Sequence, residues 1–95
     1  MPAILTATIS IKDMEKMMAY GEKAMPTILA HEGEMLYRAQ TVDVLRGAAD
    51  HTFSTAFRFP DVAAVKGWFN SPEYEALHAL RNEAADVTFV VHEEV

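Results

Sequence analysis

Four large side chains with polar tips, Trp68, Tyr74, His78 and Arg81, lie close together around the segment Asn70-Ser71-Pro72. Aromatic rings with one polar tip suit the wall of an apolar pocket, and a guanidinium can fix a carboxylate or phenolate. His78, one helical turn after Tyr74, has the proton affinity of a general base near neutral pH. Tyr37 and Tyr20 are further phenols able to reach such a cavity. Trp68, Tyr74, His78, Arg81 and Tyr37 are therefore the candidate substrate-binding residues. A structural reading of the same residues stands beside this one. Trp68 and Tyr74 clamp a helix bend, and Arg81 pairs with Glu73, Glu75 or Asp86.

Other chemistries find little support. The histidines are His31, His51, His78 and His92, and no two lie within ten residues of each other. A metal centre would have to gather ligands from distant elements, so neither metal nor haem is expected. There is no cysteine, hence no thiolate nucleophile, thiolate metal site or disulfide. Ser71 precedes a proline and reads as a helix cap rather than a nucleophile; no Gly-x-Ser-x-Gly elbow and no phosphate-binding glycine loop is present. No cofactor is implied.

The elements that must position these residues follow from periodicity. Residues 3–11 alternate, with Leu5, Ala7, Ile9 and Ile11 on one face and Thr6, Thr8 and Ser10 on the other, which predicts a strand. Asp13 caps a helix whose stripe is Met14, Met17, Met18, Gly21, Met25 and Ile28. The stripe reads as core; Gly21 suggests close approach to a sheet, Pro26 a bend or broken last turn, and Gly33 the C-cap. Residues 34–42 form a second strand, with Met35, Tyr37 and Ala39 on one face and Leu36, Arg38, Gln40 and Val42 on the other. A loop with a turn at Gly47 leads to a strand over 51–59, with Phe53, Phe57 and Phe59 on one face. Pro60-Asp61 opens a short helix through Val62, Val65, Trp68 and Phe69. Ser71 is pushed out of the helical region by Pro72, caps a new helix and places Pro72 at its first position. That helix carries Tyr74, Leu77, Leu80, Arg81 and Ala84 on one side. Val87, Phe89 and Val91 mark a last strand.

The order β-α-β-β-α(α)-β predicts an α+β, ferredoxin-like fold: a four-stranded antiparallel sheet with helices on one face. The other face carries Thr6, Thr8, Ser10, Arg38, Gln40, Ser54, Arg58 and His92. Its short polar chains suit pairing with a second copy, and a 51% hydrophobic composition points the same way. The 95 residues make one domain over 1–95. A net charge of -6 argues against nucleic acid and against anionic membrane surfaces. No signal peptide or membrane span is read, so a cytoplasmic location is expected.

Several motifs together resemble one family. Trp68-x-Asn70-Ser71-Pro72-x-Tyr74, Leu77 and Arg81, with Asp13, Tyr20, Pro26, His31-x-Gly33, Val44-Leu45-x-Gly47 and Phe59-Pro60, resemble the mostly bacterial domain of unknown function 1330. The resemblance spans essentially the whole chain. It departs from the family's common pattern at Ile4-Leu5, Arg46 and Arg58. It implies the dimeric α+β barrel superfamily, in which two ferredoxin-like protomers pack sheet against sheet and a cavity lies between sheet and helices. Two functions are open: a homodimer that binds a small, partly apolar organic molecule and acts on it without a metal, or a non-catalytic self-associating module.

Overall fold

A computed structural model describes residues 1–95. The strands are β1 (Ala3–Ile11), β2 (Glu34–Gln40), β3 (Phe53–Phe59) and β4 (Ala85–Glu93). The helices are α1 (Met14–Ala30), α2 (Val62–Phe69), α3 (Pro72–Glu75) and α4 (His78–Ala84). All pairings are antiparallel in the order β2-β3-β1-β4, the ferredoxin-like arrangement that the periodicity predicts. The helices cover one face. Leu5, Phe57 and Phe59 from the sheet are buried in one cluster with Tyr20, Ala24 and Ile28 of α1, Val65 and Trp68 of α2, and Tyr74 of α3. The whole is a slab of 33 × 32 × 16 Å, one sheet and one helix layer thick.

Three helix starts follow the cap chemistry. Asp13 accepts from Lys16 N–H at 3.1 Å, Asp61 from Ala64 N–H at 2.8 Å and Ser71 from Tyr74 N–H at 3.3 Å. Each satisfies a first-turn donor that has no partner inside the helix. Gly47 takes the positive φ of its turn, 87°.

Five local expectations are corrected. First, α1 runs unbroken through Pro26 to Ala30. Pro26 faces solvent, so water can serve the carbonyl of Glu22 that proline leaves without a helical donor. Second, the left-handed residue after α1 is Glu32, at φ 64°, and not Gly33. The N–H groups of Glu32 and Gly33 reach back to Leu29 O at 3.0 Å and Ile28 O at 2.9 Å, a Schellman closure. Gly33 is needed for space: a Cβ there would lie 2.5 Å from Ile28 Cγ2 and 2.7 Å from Phe59 Cζ. Third, a Cβ at Gly21 would meet nothing within 4 Å, so that glycine marks open space rather than close packing. Fourth, the helix after Ser71-Pro72 is split into α3 and α4 at Ala76-Leu77. Fifth, Met35 pairs with Phe57 but Tyr37 pairs with Ala56, so Leu36 is an extra residue, a β-bulge. The bulge reverses the face of everything after it. Tyr37 and Ala39 turn to the outer face, while Arg38 and Gln40 join Met35 on the helix face. The strands are also shorter than expected: β2 ends at Gln40 and β3 begins at Phe53.

Gly33→Ala should destabilise the protein by about 1–3 kcal/mol, the usual cost of forcing a methyl group into a filled core. Urea unfolding monitored by circular dichroism measures it; an unchanged midpoint would show that Ile28 and Phe59 yield freely.

Candidate functional site

Between α1 and the sheet lies a half-open cavity of about 430 Å3. Its floor is the helix face of the central strands, including Ala7, Ile9, Phe53 and Phe57. Its roof is α1, which contributes Met14, Met17, Met18 and Met25; Met35 of β2 adds a fifth methionine. The chain has six methionines, so all but Met1 border this space. Unbranched thioether chains adapt to irregular shapes and suit a wall that takes up a guest. Met14 and Met18 are 53% and 63% exposed, so the stripe expected to be core is largely cavity wall. Gly21 lies beside them and leaves the roof thin.

Polar groups on the wall are few. Arg38 reaches it because of the bulge at Leu36, and it makes no ion pair with any carboxylate. Glu22 stands on the solvent-exposed side. Thr55 is buried in the floor, and its hydroxyl has no hydrogen-bond partner. Tyr20 borders the cavity from α1.

Of the residues singled out in the sequence, Trp68 closes the inner end of the cavity. Its indole N–H donates to Thr27 Oγ1 of α1 at 3.0 Å, and Thr27 in turn donates to Ala24 O at 2.6 Å. Tyr74 lies behind Trp68, fully buried, with ring centroids 4.2 Å apart. Arg81 Nη1 donates to Tyr74 Oη at 3.1 Å, and its guanidinium sits 5.7 Å from the Tyr74 ring centroid and 5.8 Å from that of Phe89. Arg81 pairs with none of the carboxylates considered for it; Asp86 is held instead by Lys12 at 3.6 Å. His78 packs edge-on to Tyr74 at 5.3 Å, and its Nε2 is buried without a partner. Trp68, Tyr74, His78 and Arg81 are thus gathered into one cluster, but only Trp68 borders the cavity. Tyr37 is apart from them on the outer sheet face, where its hydroxyl meets Ser54 Oγ at 3.1 Å. Sequence reasoning missed the methionines and Arg38 as wall residues. The combination of a methionine stripe with an interior glycine was the available signal for the former; nothing in the periodicity marked the bulge that re-aims Arg38.

Tyr20 and Tyr74 share a hydroxyl–hydroxyl hydrogen bond of 2.6 Å. Burial, reinforced by neighbouring Tyr74, holds the Tyr20 phenol well above its ordinary value. Tyr20 is therefore a neutral hydrogen-bonding group at physiological pH and not a base. No three His, Asp or Glu side chains gather where they could share a metal ion, and no helix is long and apolar enough to cross a membrane.

Fold and site together define a ferredoxin-like α+β domain with a ligand-sized hollow between its helix layer and its sheet. The chain belongs to the family called domain of unknown function (DUF1330), which matches residues 2–95. Among solved structures, a protein of unknown function from Rhodopseudomonas palustris is 18% identical with a TM-score of 0.85, over 99% of this chain and 82% of that one. SnoaB, a cofactor-independent oxygenase from Streptomyces nogalater, is 5% identical with a TM-score of 0.73, over 99% and 93%. A dimeric ferredoxin-like protein of unknown function from Jannaschia sp. is 12% identical with a TM-score of 0.67, over 99% and 100%. At these identities the likeness shows the fold. Comparison with curated proteins gives no match.

The raised affinity of Tyr20 for its proton carries a sign for stability. A phenol that must stay neutral when folded contributes fully below its unfolded value near 10. Above that pH the unfolded chain can shed the proton and the folded one cannot, so the contribution declines. Urea midpoints at pH 9 and pH 11 should fall further for the wild type than for Tyr20→Phe; equal falls would contradict this account.

Proposed function

We propose that this protein binds a small, largely apolar organic molecule in the hollow beneath α1, and does so as a homodimer paired through its outer sheet face. The observation that carries the binding reading is the cavity itself. It falls in the size range of small-molecule sites, is walled mainly by apolar side chains and has few polar groups. Arg38, unpaired with any carboxylate, supplies a cation for a carboxylate or phenolate at the guest's polar end. Trp68, expected from the sequence to line a pocket, forms the inner wall. Tyr74, His78 and Arg81 support it from behind, and Tyr37 belongs to the pairing face rather than to the pocket. Chemistry on the guest is not part of this reading, because neither His78 nor a tyrosinate stands at the wall.

The pairing reading rests on the outer face. Thr6, Thr8 and Ser54 are half-buried there even in the single chain, Ala56 is buried, and Val90 and Tyr37 are 44% and 46% exposed. Full charge is kept to the two ends of the face: Arg58, paired with Glu94 at 2.8 Å, and Glu34 at one end, and Asp86, held by Lys12, at the other. A slab with helices on one side leaves this surface without a cover, and the Jannaschia relative is described as dimeric. The partner is a second copy; neither nucleic acid nor membrane enters the reading.

The single tryptophan borders the cavity, so Trp68 fluorescence reports binding directly. Titration with an apolar probe such as 2-ethylnaphthalene should shift or quench it. Gly21→Leu, which extends into open space, should weaken binding about tenfold or more while raising helix stability by up to ~1 kcal/mol. Unaltered fluorescence in the wild type, or undiminished affinity in Gly21→Leu, would overturn the cavity as the site. Light scattering should give twice the 10.6 kDa chain mass for the wild type and a lower mass for Thr6→Lys, which sets a charge in the centre of the pairing face. A wild-type monomer at micromolar concentration would exclude the dimer.

A further inference from the structure

Two buried phenols and one guanidinium pose a counting problem with a functional answer. Arg81 has only protons to give, and it gives one to Tyr74 Oη at 3.1 Å. Tyr74 and Tyr20 share one hydrogen bond of 2.6 Å. The two phenols hold two hydroxyl protons, and that bond uses one of them. The other proton has no partner in the protein, since neither hydroxyl makes any further hydrogen bond and His78 Nε2 accepts none.

Two arrangements exist. In one, Tyr20 donates to Tyr74, and the spare proton is on Tyr74. Tyr74 is 0% exposed and does not border the cavity, so a donor would be stranded in the core. A stranded buried donor carries the full desolvation penalty of a polar group left without a partner. In the other, Tyr74 donates to Tyr20, and the spare proton is on Tyr20, which does border the cavity. That arrangement leaves nothing stranded once a guest or a water accepts the proton. It also aligns all the donors in one direction, from Arg81 to Tyr74 to Tyr20, so each bond polarises the next.

We infer that Tyr20 is the specificity-determining donor of the cavity, held in that role by Tyr74 and Arg81, and that the guest carries a hydrogen-bond acceptor oxygen, a ketone, quinone or enolate, within reach of the Tyr20 hydroxyl. The inference rests on the cavity being a binding site and adds the chemical class of the guest. Tyr20 touches the guest; Tyr74 and Arg81 are positioning residues. The donor would sit on the α1 wall and Arg38 on the β2 wall, so a guest with acceptors at two ends would be oriented between them.

The test uses the full chain and a matched pair of probes, 2-acetylnaphthalene and 2-ethylnaphthalene, which differ in shape very little and in one carbonyl. Wild type should prefer the ketone about tenfold, the value of one hydrogen bond of ~1.4 kcal/mol. Tyr20→Phe should lose that preference while keeping its affinity for the hydrocarbon. Arg81→Met, which preserves the apolar stem, should reduce the preference partway and leave the hydrocarbon's affinity alone. The carbonyl stretch of the bound ketone gives a second readout. It should lie lower in the wild type than in Tyr20→Phe, which a purely structural role for Tyr20 would not produce. If the ketone preference and the lowered stretch persist in Tyr20→Phe and vanish in Arg38→Gln, the donor is Arg38 and the inference is wrong. It is equally wrong if the wild type binds both probes alike. If the wild type binds neither, the cavity reading fails and this one with it.

Discussion

The position of α1 above the sheet is the constraint from which the rest follows, and two polar ties set it. The Trp68 indole donates to Thr27, and Tyr74 bonds Tyr20. Both ties run from the arm formed by α2, α3 and α4 to α1, and the packing between α1 and α4 reinforces them. At the start of α1, the N–H groups of Lys12 and Asp13 both donate to Ala84 O, the last residue of α4. The helix is thus fastened sideways to its neighbour along its length. Apolar side chains alone would draw α1 down until the space under it closed, because interiors favour close packing. Fixed distances at Thr27 and Tyr20 resist that collapse, and Gly21 with the flexible methionines leaves the space beneath unfilled.

The aromatic corner explains why those ties are firm. Trp68, Phe69, Tyr74 and Phe89 meet with centroid separations between 4.2 and 6.4 Å, mostly in tilted or edge-to-face geometry. Such pairs contribute beyond their buried area. The corner exists because Ser71 caps α3 through Tyr74 N–H and closes α2 by donating to Trp68 O at 2.7 Å. One hydroxyl thus serves the end of one helix and the start of the next. Pro72 at the first helical position fixes the turn between them. Trp68, Tyr74, His78 and Arg81 do converge, but their convergence builds the frame of the hollow more than its lining.

What the sequence makes legible divides along the same line. Alternation over residues 3–11, the aspartate and serine caps and the Asn-Ser-Pro corner are local signals, and each reads correctly because the physics behind it is local. The topology follows from the order of those elements. The side of α1 that meets empty space is a property of the assembled layers, so Met14, Met17 and Met18 read as core when only their spacing is known. Glu32 in the left-handed region was hidden by the glycine next to it: Gly33 satisfies the same expectation for a different reason, the nearness of Ile28 and Phe59. The split at Leu77 is likewise invisible, since Tyr74, Leu77, Leu80, Arg81 and Ala84 keep an unbroken helical spacing across it.

The bulge at Leu36 shows how one residue can set the make-up of two surfaces at once. In regular pairing, Tyr37 and Ala39 would follow Met35 onto the helix face, and Arg38 would stand on the outer face. Tyr37 would then press a phenol into the hollow, and Arg38 would set a buried cation in the path of any second sheet. The extra residue reverses both. Tyr37 instead stands on the outer face with its hydroxyl on Ser54, while Arg38 enters the cavity wall. Outer-face charge is thereby kept to the ends of the sheet, at Arg58, Glu34 and Glu94 on one side and Asp86 on the other, and away from the middle of the face. A bulge in an edge strand also spoils that edge for chance pairing with other chains. The feature least visible in the sequence therefore puts a phenol on the outer face and a guanidinium in the cavity wall, and it does so without changing a single side chain.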